Sequence, residues 1–333
     1  MILTLVDDIL DIPAAEWDAL ASPAGLYLSH QWLAAQQQDP TAEVHYAVVH
    51  DGGHLIAAVP LYVVDTEPNS LYRVHEIVPG RTPARTLLAG ARRGYLNAPL
   101  LHPRLAPARR REALSHLVTA AGSLASARAA QPWWLYVTDT EAAELAAACG
   151  TRPVRLSQDA RIPLPGSTFD DYLAGLPSKR RVSIRRERRA FAEAGYELRT
   201  LRLSECAGTA GALLAQLQER HGHSADPAAM AGLLRDQAAG MADTGTVLAA
   251  YADDRMVAFS LYYHHAGTVW LRATGYDYAR LRAAHEYFNL VYYLPIEAAY
   301  AHCATALHLG MESLHAKTLR GAVTSSLWAV QGR

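Results

Sequence analysis

Residues 246–275 read TVLAAYADDRMVAFSLYYHHAGTVWLRATG. The stretch contains three runs of β-forming residues, at 246–252, 256–263 and 269–275. Two short polar turns, Asp253-Asp254-Arg255 and His265-Ala266-Gly267, separate the runs. Turns of this length between apolar runs predict a meander of three antiparallel strands.

The elements around this meander occur in the same order in both halves of the chain. A helix over 281–304 and a strand over 306–311 are expected to follow it. In the first half, a hairpin at Asp51-Gly52-Gly53 precedes a long helix over 106–130 and a strand over 133–137. Antiparallel runs followed by a helix and a strand indicate α+β layers, not a doubly wound parallel sheet. The predicted fold is therefore α+β, with mixed, mostly antiparallel sheets flanked by helices.

The chain is long enough for two domains of this kind. Its 333 residues exceed the usual size of one hydrophobic core. Pro163, Pro165 and Gly166 interrupt the middle of the sequence, where a boundary is expected. The predicted domains are residues 1–165 and 166–333.

The composition is that of an ordinary globular protein. The formal net charge is -1, half of the residues are hydrophobic and 19% are charged. The three cysteines lack metal-ligand spacing, and His221 and His223 have no convincing third ligand, so no metal is expected. The N-terminus has no basic segment, and no apolar run reaches the roughly 20 residues that span a bilayer. A cytoplasmic protein without a membrane span is predicted.

Residues 179–189, KRRVSIRRERR, hold seven basic side chains and one acidic one. The segment has no helix breaker and is expected to continue a helix that Thr168 caps. Ile184 and Phe191, seven residues apart, lie on one helical face, which leaves a wide cationic face. Such a face suits a polyanion such as nucleic acid, a nucleotide or a lipid surface, and the alternative is a solvated helix without a partner. The candidate phosphate contacts are Lys179, Arg180, Arg181, Arg185, Arg186, Arg188 and Arg189.

Three segments in order resemble a known family. They are 178–189 leading into Glu193-Ala194-Gly195, the helix 287–296, and Gly310 followed by Lys317-Thr-Leu-Arg320-Gly321. Together they resemble the Fem-like group of tandem-GNAT transferases over roughly residues 168–330. Tyr287 and Asn289 stand where the closest relatives have His and Glu, and Lys317 lies one residue further from its preceding glycine. If the Glu that the relatives have at position 289 is catalytic, either no residue here replaces it or Glu286 or Glu312 does.

The resemblance implies two GNAT-like domains in tandem and a transferase that joins an acyl or aminoacyl group to an amine. In Fem-like members the donor is charged tRNA, and in plain GNAT enzymes it is acetyl-CoA, whose pyrophosphate a glycine-rich turn holds. The corresponding stretches here, 101–111 and 276–285, contain no glycine, which argues against a tight CoA site. The leading expectation is therefore aminoacyl-tRNA as co-substrate, no cofactor, and a small amine or peptidoglycan precursor as acceptor. An acyl-CoA-dependent N-acyltransferase and a non-catalytic RNA-binding protein are the alternatives.

Candidate catalytic groups follow from the chemistry of amide formation. Lys317 and Arg320 are expected to hold a phosphate or the developing oxyanion, unless they form a structural salt bridge with Glu312 or Asp277. Glu286, Glu312 and His285 are candidates for proton transfer, with Tyr276 and Tyr292 as possible acids. The alternative to a catalytic role is that the aromatic residues of the helix 281–304 belong to the hydrophobic core. The residues expected to line the pocket are Arg272, Asp277, Asn289, Tyr292 and Gly321.

Overall fold

The computed structural model describes residues 1–333, which form two compact units. The first unit comprises Met1–Asp159 and Ser325–Arg333, and the second comprises Ala160–Thr324. The C-terminal segment belongs to the first unit because its strand pairs there, with Trp328 opposite Val137. The predicted division placed this segment with the second half.

The strands and helices occupy most of the chain. The strands are β1 (Ile2–Val6), β2 (Glu43–Asp51), β3 (His54–Val64), β4 (Thr86–Ala89), β5 (Leu100–Leu101), β6 (Gln131–Val137), β7 (Val154–Pro163), β8 (Glu197–Arg202), β9 (Thr246–Ala252), β10 (Arg255–His265), β11 (Thr268–Tyr276), β12 (Ala306–Gly310) and β13 (Val323–Gln331). The helices are α1 (Ala14–Ala21), α2 (His30–Gln36), α3 (Val74–Ile77), α4 (Pro107–Ala127), α5 (Asp139–Cys149), α6 (Phe169–Ala174), α7 (Ser178–Glu193), α8 (Leu203–Arg220), α9 (Pro227–Gly240), α10 (Glu286–Phe288), α11 (Leu294–Ala301) and α12 (Leu314–Thr318). A π-helical turn, Asn289–Tyr293, separates α10 from α11. Short 3-10 turns occupy Ile9–Asp11, Leu26–Leu28 and Ser70–Tyr72.

In the first unit the strands follow the order β1-β2-β3-β4-β6-β13, and β5 pairs with β3 off this path. Neighbouring strands are antiparallel except β4 and β6, which are parallel. The helix α4 packs on this sheet and buries Leu117 and Ala121 with Trp134 and Val137. Burial of such side chains contributes most of the favourable free energy of a core.

The second unit repeats this plan. Its strands follow the order β7-β12-β11-β10-β9-β8, with β11 and β12 as its parallel pair. The helix α8 packs closely on β11, where an added Cβ at Gly275 would lie 2.6 Å from the backbone of Leu213. The π-helical turn contributes Tyr292 and Tyr293 to a core with Tyr262. The predicted α+β class, with mostly antiparallel sheets and flanking helices, is confirmed.

The parallel pair in the second unit opens along its length. Residues of β11 and β12 pair only from Thr268 opposite Ala306 to Trp270 opposite His308. Beyond this point β11 continues to Tyr276, while β12 ends at Gly310. The backbone of residues 271–276 therefore lies outside the ladder with β12.

Two helix predictions were wrong. The expected helix 281–304 begins only at Glu286, because its carboxylate accepts hydrogen bonds from the backbone N–H groups of Arg282 and Ala284 and fixes the preceding loop. Within the helix, Pro295 has no N–H to donate, which favours the irregular π-helical turn just before it. The basic helix is also not a continuation of the helix capped by Thr168. That helix, α6, ends at Ala174, because Pro177 disfavours helical geometry in the residue before it.

Two glycines of α8 provide a test of the packing against α9. An added Cβ at Gly211 would lie 2.5 Å from Ala231 Cα, whereas Gly208 has nothing within 4 Å. We expect Gly211→Ala to lower the free energy of unfolding by about 2 kcal/mol or more through overpacking. Gly208→Ala is expected to raise it by about 0.5–1 kcal/mol through helix propensity. Urea denaturation measures both, and similar values for the two variants would contradict the close approach of the helices.

Candidate functional site

The helix α7 divides into a buried edge and a cationic face. Ile184 and Phe191 are 1% and 5% exposed, which confirms the predicted apolar edge. Phe191 packs with Tyr276 and Leu290. Val182, which is 63% exposed, lies on the opposite side of the helix. The exposed cations around it are Lys179, Arg185, Arg186 and Arg189, and this set is called the cationic face below.

The other three cations of the segment are partly buried. Arg181 donates from Nη1 to the carbonyl of Leu176 at 2.7 Å, in the connection between α6 and α7. Arg188 pairs with Glu297, and its guanidinium lies 4.0 Å from the centre of the Phe169 ring. Arg180 is half-buried and forms no ion pair. Two of the seven predicted phosphate contacts, at 181 and 188, are therefore engaged within the protein.

Glu187, the one acid of the basic segment, is the residue that sequence reasoning missed. Glu187 is 6% exposed, and its carboxylate accepts hydrogen bonds from Tyr293 and from Ser183 Oγ, the latter at 2.9 Å. Burial acts to raise the pKa of Glu187, but these hydrogen bonds and the Arg320 charge outweigh it and leave the pKa below its ordinary value. Its spacing from Ile184 and Phe191, which puts it on the apolar edge, was the signal that could have identified it.

Arg320 is the cation that Glu187 holds. Its Nη2 lies 3.0 Å from Glu187 Oε2, and its Nε donates to the Tyr293 hydroxyl at 2.9 Å. The guanidinium also lies 3.6 Å from the centre of the Phe288 ring. Arg320 is thus 5% exposed, and the acid it pairs with is neither Glu312 nor Asp277. A role for Arg320 in binding a phosphate or an oxyanion remains a prediction.

Lys317 lies beside the end of β12. Its Nζ donates to the carbonyls of Leu309 at 2.8 Å, of Gly310 at 2.9 Å, and of Met311. Lys317 is 4% exposed. Its three hydrogen bonds hold the end of β12 at the point where β11 and β12 have separated. Glu312 is exposed in the following turn and stays outside the network of Arg320 and Glu187.

Glu286 shapes the loop that follows β11. Its carboxylate accepts from the Tyr196 hydroxyl at 2.7 Å and from the Arg282 backbone N–H at 2.9 Å. Burial acts to raise the pKa of Glu286, but these hydrogen bonds and that of Ala284 leave it lowered. Burial and the hydrogen bond to Glu286 raise the pKa of Tyr196 to about 12. Glu286 is therefore a fixed carboxylate and a weak base.

The other predicted residues lie on β11, in the loop after it, in the π-helical turn and in the turn after α12. Asn289 Nδ2 donates to the backbone carbonyls of His285 at 3.0 Å and Glu187 at 3.3 Å. The hydroxyls of Tyr287 and Tyr292 are 3.5 Å apart. Burial raises the pKa of both Tyr276 and Tyr292 above the ordinary value, which makes them weak acids. Asp277 pairs with Arg280. Arg272 lies on β11, beyond the last residue of that strand that pairs with β12. Gly321 has a positive φ of +82°.

No group of three or more His, Cys, Asp or Glu side chains is arranged to hold a metal ion. None of the helices combines the length and the apolar character needed to cross a bilayer.

A model of the FemAB-like family, described as peptidoglycan biosynthesis/recognition, matches residues 98–331. The chain belongs to the FemAB-like family. Membership identifies this FemAB-like protein as a transferase of acyl or aminoacyl groups and confirms the family resemblance of its second half. No curated protein matches it.

Solved structures share the fold of the FemAB-like chain at low sequence identity. FemX is 12% identical, with a TM-score of 0.67 over 98% of this chain and 97% of that one. The C-terminal domain of a putative lysylphosphatidylglycerol synthetase from Agrobacterium fabrum is 10% identical, with a TM-score of 0.59 over 96% and 91%. A tandem GNAT protein from the clavulanic acid biosynthesis pathway is 15% identical, with a TM-score of 0.56 over 99% and 98%. These likenesses establish the tandem GNAT fold.

Glu286 is expected to make the stability of the FemAB-like protein depend on pH. The pKa of Glu286 in the folded protein is below the ordinary value of 4.5. The ionised carboxylate therefore adds to the free energy of unfolding above pH 4.5, and this contribution is lost as the pH falls through the folded-state pKa. Glu286→Gln should therefore lose less stability than the wild type between pH 7 and pH 3, as urea denaturation would measure. The exposed Glu193→Gln is the control, and equal pH dependence in both variants would contradict the role assigned to Glu286.

Proposed function

We propose that the protein transfers an aminoacyl group from a charged tRNA to an amine and forms an amide bond. The observation that carries this proposal is the cationic face of α7, where Lys179, Arg185, Arg186 and Arg189 are exposed on one helix. The chain as a whole has a net charge of -1, so this concentration is local. An acceptor stem presents a dense row of phosphates, and lysine and arginine contacts supply most of its sequence-independent affinity.

The anchoring of α7 supports the same proposal. Glu187 is bonded to Arg320 and Tyr293, and Ile184 and Phe191 are buried, so the helix is held along one edge. A surface that is ordered before the ligand arrives loses less conformational freedom on binding. The cationic face is thus suited to position a long anion rather than to attract it only transiently.

The chemistry requires few groups. The neutral amine attacks the ester carbonyl and the new C–N bond forms. A proton leaves the amine nitrogen, and the C–O bond to the tRNA breaks as the ribose oxygen takes a proton. Backbone N–H groups of residues 271–276, outside the ladder with β12, are the proposed donors to the oxyanion. Lys317 would fix the end of β12 beside these residues. Glu286, Glu312 and Tyr276 remain the candidates for proton transfer.

The acceptor and the cellular location complete the proposal. The description of the family, peptidoglycan biosynthesis/recognition, supports a cell-wall precursor as acceptor, and a small amine such as a natural-product scaffold is the alternative. Charged tRNA is a cytoplasmic substrate, so we propose that the protein acts in the cytoplasm and uses no cofactor.

An acyl-CoA-dependent N-acyltransferase is the second candidate. It is favoured by the likeness to the tandem GNAT protein, whose description refers to AcCoA. Against it, the loop of residues 276–285 has no glycine at which a backbone could approach a pyrophosphate closely.

The test incubates the protein with total charged tRNA and a panel of amines, including peptidoglycan precursors, and identifies amides by mass spectrometry. We expect an amide that carries one amino acid and a matching loss of charged tRNA. Charged tRNA that keeps its amino acid with every amine would contradict the proposal. Micromolar binding of acetyl-CoA in calorimetry, with acetyl transfer, would favour the second candidate.

A further inference from the structure

The sheet of the first unit has an open edge at β1. This strand pairs with β2 along Ile2–Val6 and with no other strand. The unit leaves three large hydrophobic side chains exposed, and all three lie on β1 or just after it: Ile2 at 70%, Leu5 at 44% and Leu10 at 65%. We propose that β1 is a self-association surface, at which a second copy of this chain adds its own β1 in antiparallel orientation.

The β1 edge lacks the features that usually prevent strands of different molecules from pairing. Natural edge strands generally carry charged side chains, a proline or a β-bulge. The strand β1 reads ILTLV, without charge or proline, and it pairs with β2 without a shift of register. Its outer row of backbone N–H and C=O groups is therefore open to another strand.

The sequence of β1 is self-complementary, which makes a second copy the occupant that fits. Side chains directly opposite each other in an antiparallel pair point to the same face, and side chains alternate between the faces along each strand. A two-fold symmetric pair of β1 strands is therefore centred on a residue that faces its own copy. The pairs around Thr4 would be Thr4 with Thr4, Leu3 with Leu5, and Ile2 with Val6. Apolar, β-branched and Thr–Thr pairs of this kind stabilise antiparallel sheets.

The pairing would also extend the core of the first unit. Leu3 is half-buried and packs against the hydrophobic core that α4 forms with the sheet. Leu5 is two residues further along β1, so it lies on the same face of the sheet. In the proposed pair, Leu5 of each copy lies beside Leu3 of the other copy and is shielded from water. Burial of this apolar surface favours association.

The edge strand of the second unit, β8, is protected from such pairing. It reads ELRTLR and pairs with β9 alone. Two symmetric registers would pair five of its six residues, one centred on Arg199 and one on Thr200. The first places Arg199 opposite itself, and like charges directly opposite each other are destabilising. The second places a leucine opposite an arginine on both sides of Thr200, in the pairs Leu198 with Arg202 and Arg199 with Leu201.

Sedimentation velocity at increasing protein concentration measures the association, with any purification tag at the C-terminus so that β1 stays free. A pairing of five residues is small beside the roughly 1,200–2,000 Å² of a stable interface, so we expect a dimer with a dissociation constant in the micromolar range or weaker. Leu5→Lys should weaken it roughly tenfold or more, because each ammonium would lie opposite an apolar side chain. The matched control is Leu198→Lys on β8, where the leucine is 48% exposed, and it should leave the dimer unchanged.

Disulfide formation tests the register. Each variant is made together with Cys303→Ser, because Cys303 is the exposed cysteine of the chain. Thr4→Cys should give a disulfide-linked dimer on oxidation, since opposite residues of an antiparallel pair have Cα atoms about 4.5–5.5 Å apart. Val6→Cys should not, since its two copies would lie more than about 12 Å apart.

Three results would overturn the proposal. One is a wild type that stays monomeric up to millimolar concentration, and another is a dimer that Leu5→Lys weakens no more than Leu198→Lys does. The third is a Thr4→Cys variant that forms no linked dimer, or forms it no more readily than Val6→Cys. None of these measurements requires transfer activity, so the outcome is independent of the proposed function.

Discussion

Replacement of Arg185, Arg186 and Arg189 by glutamine is expected to weaken binding of charged tRNA and to lower the salt dependence of that binding. Each lost phosphate contact removes roughly 0.9 from the slope of log affinity against log salt, so the triple variant should lose about 2 to 3. Fluorescence anisotropy with a labelled tRNA at several salt concentrations measures both quantities. The fold should persist, because all three side chains are exposed.

Arg188 is left out of this variant for a structural reason. It pairs with Glu297 and packs on Phe169, so its removal would disturb packing as well as charge. Arg185 is retained in the set because its contact with Asp170, at 3.8 Å between exposed side chains, is weak. The matched control replaces Arg104, Arg111 and Arg235, which are exposed elsewhere. An equal change of slope in control and variant would remove α7 from the donor site.

The second large effect is expected from Glu187→Ala, which leaves the buried Arg320 without its anion. Removal of one partner of a buried ion pair costs about 3–5 kcal/mol. Tyr293 and Ser183 would lose their acceptor in the same variant. We therefore expect a large loss in the free energy of unfolding, measured by urea denaturation.

Two further variants separate this interaction from a general effect on the helix. Glu193→Ala removes an exposed acid from the same helix and should change stability by less than about 0.5 kcal/mol. Glu187→Gln keeps an oxygen that can accept from Tyr293 and should lose less stability than Glu187→Ala. Equal stability of Glu187→Ala and Glu193→Ala would contradict the buried network.

Local patterns were enough to predict much of the second unit. The meander from 246 to 275 was predicted because apolar runs alternate with short polar turns, and β9, β10 and β11 match these runs. The apolar edge of α7 was predicted because Ile184 and Phe191 recur at helical spacing. The order of strands and helices then restricted the fold, since few arrangements let the helices of each half bury their apolar faces against a sheet.

Contacts between distant residues could not be predicted in the same way. Glu187 and Arg320 are 133 positions apart, and the basic segment gave no sign that its one acid would be buried. The late start of the expected helix, at Glu286, involves a hydrogen bond from Tyr196, which lies between α7 and β8. A cleft lined by Arg255, Arg280 and Arg282 likewise joins a hairpin turn to a loop that follows a different strand. In each case the determining partner comes from the fold and not from neighbouring residues.

Site-specific photocrosslinking at position 182 tests the central claim most directly. Val182 lies within the cationic face and is 63% exposed, so a benzoylphenylalanine placed there should point at whatever that face binds. Leu233, which is 46% exposed on α9, is the control position. Irradiation with charged tRNA is expected to crosslink position 182 and not 233, and salt should abolish the product. Equal crosslinking at both positions, or none at 182, would contradict a donor site on α7.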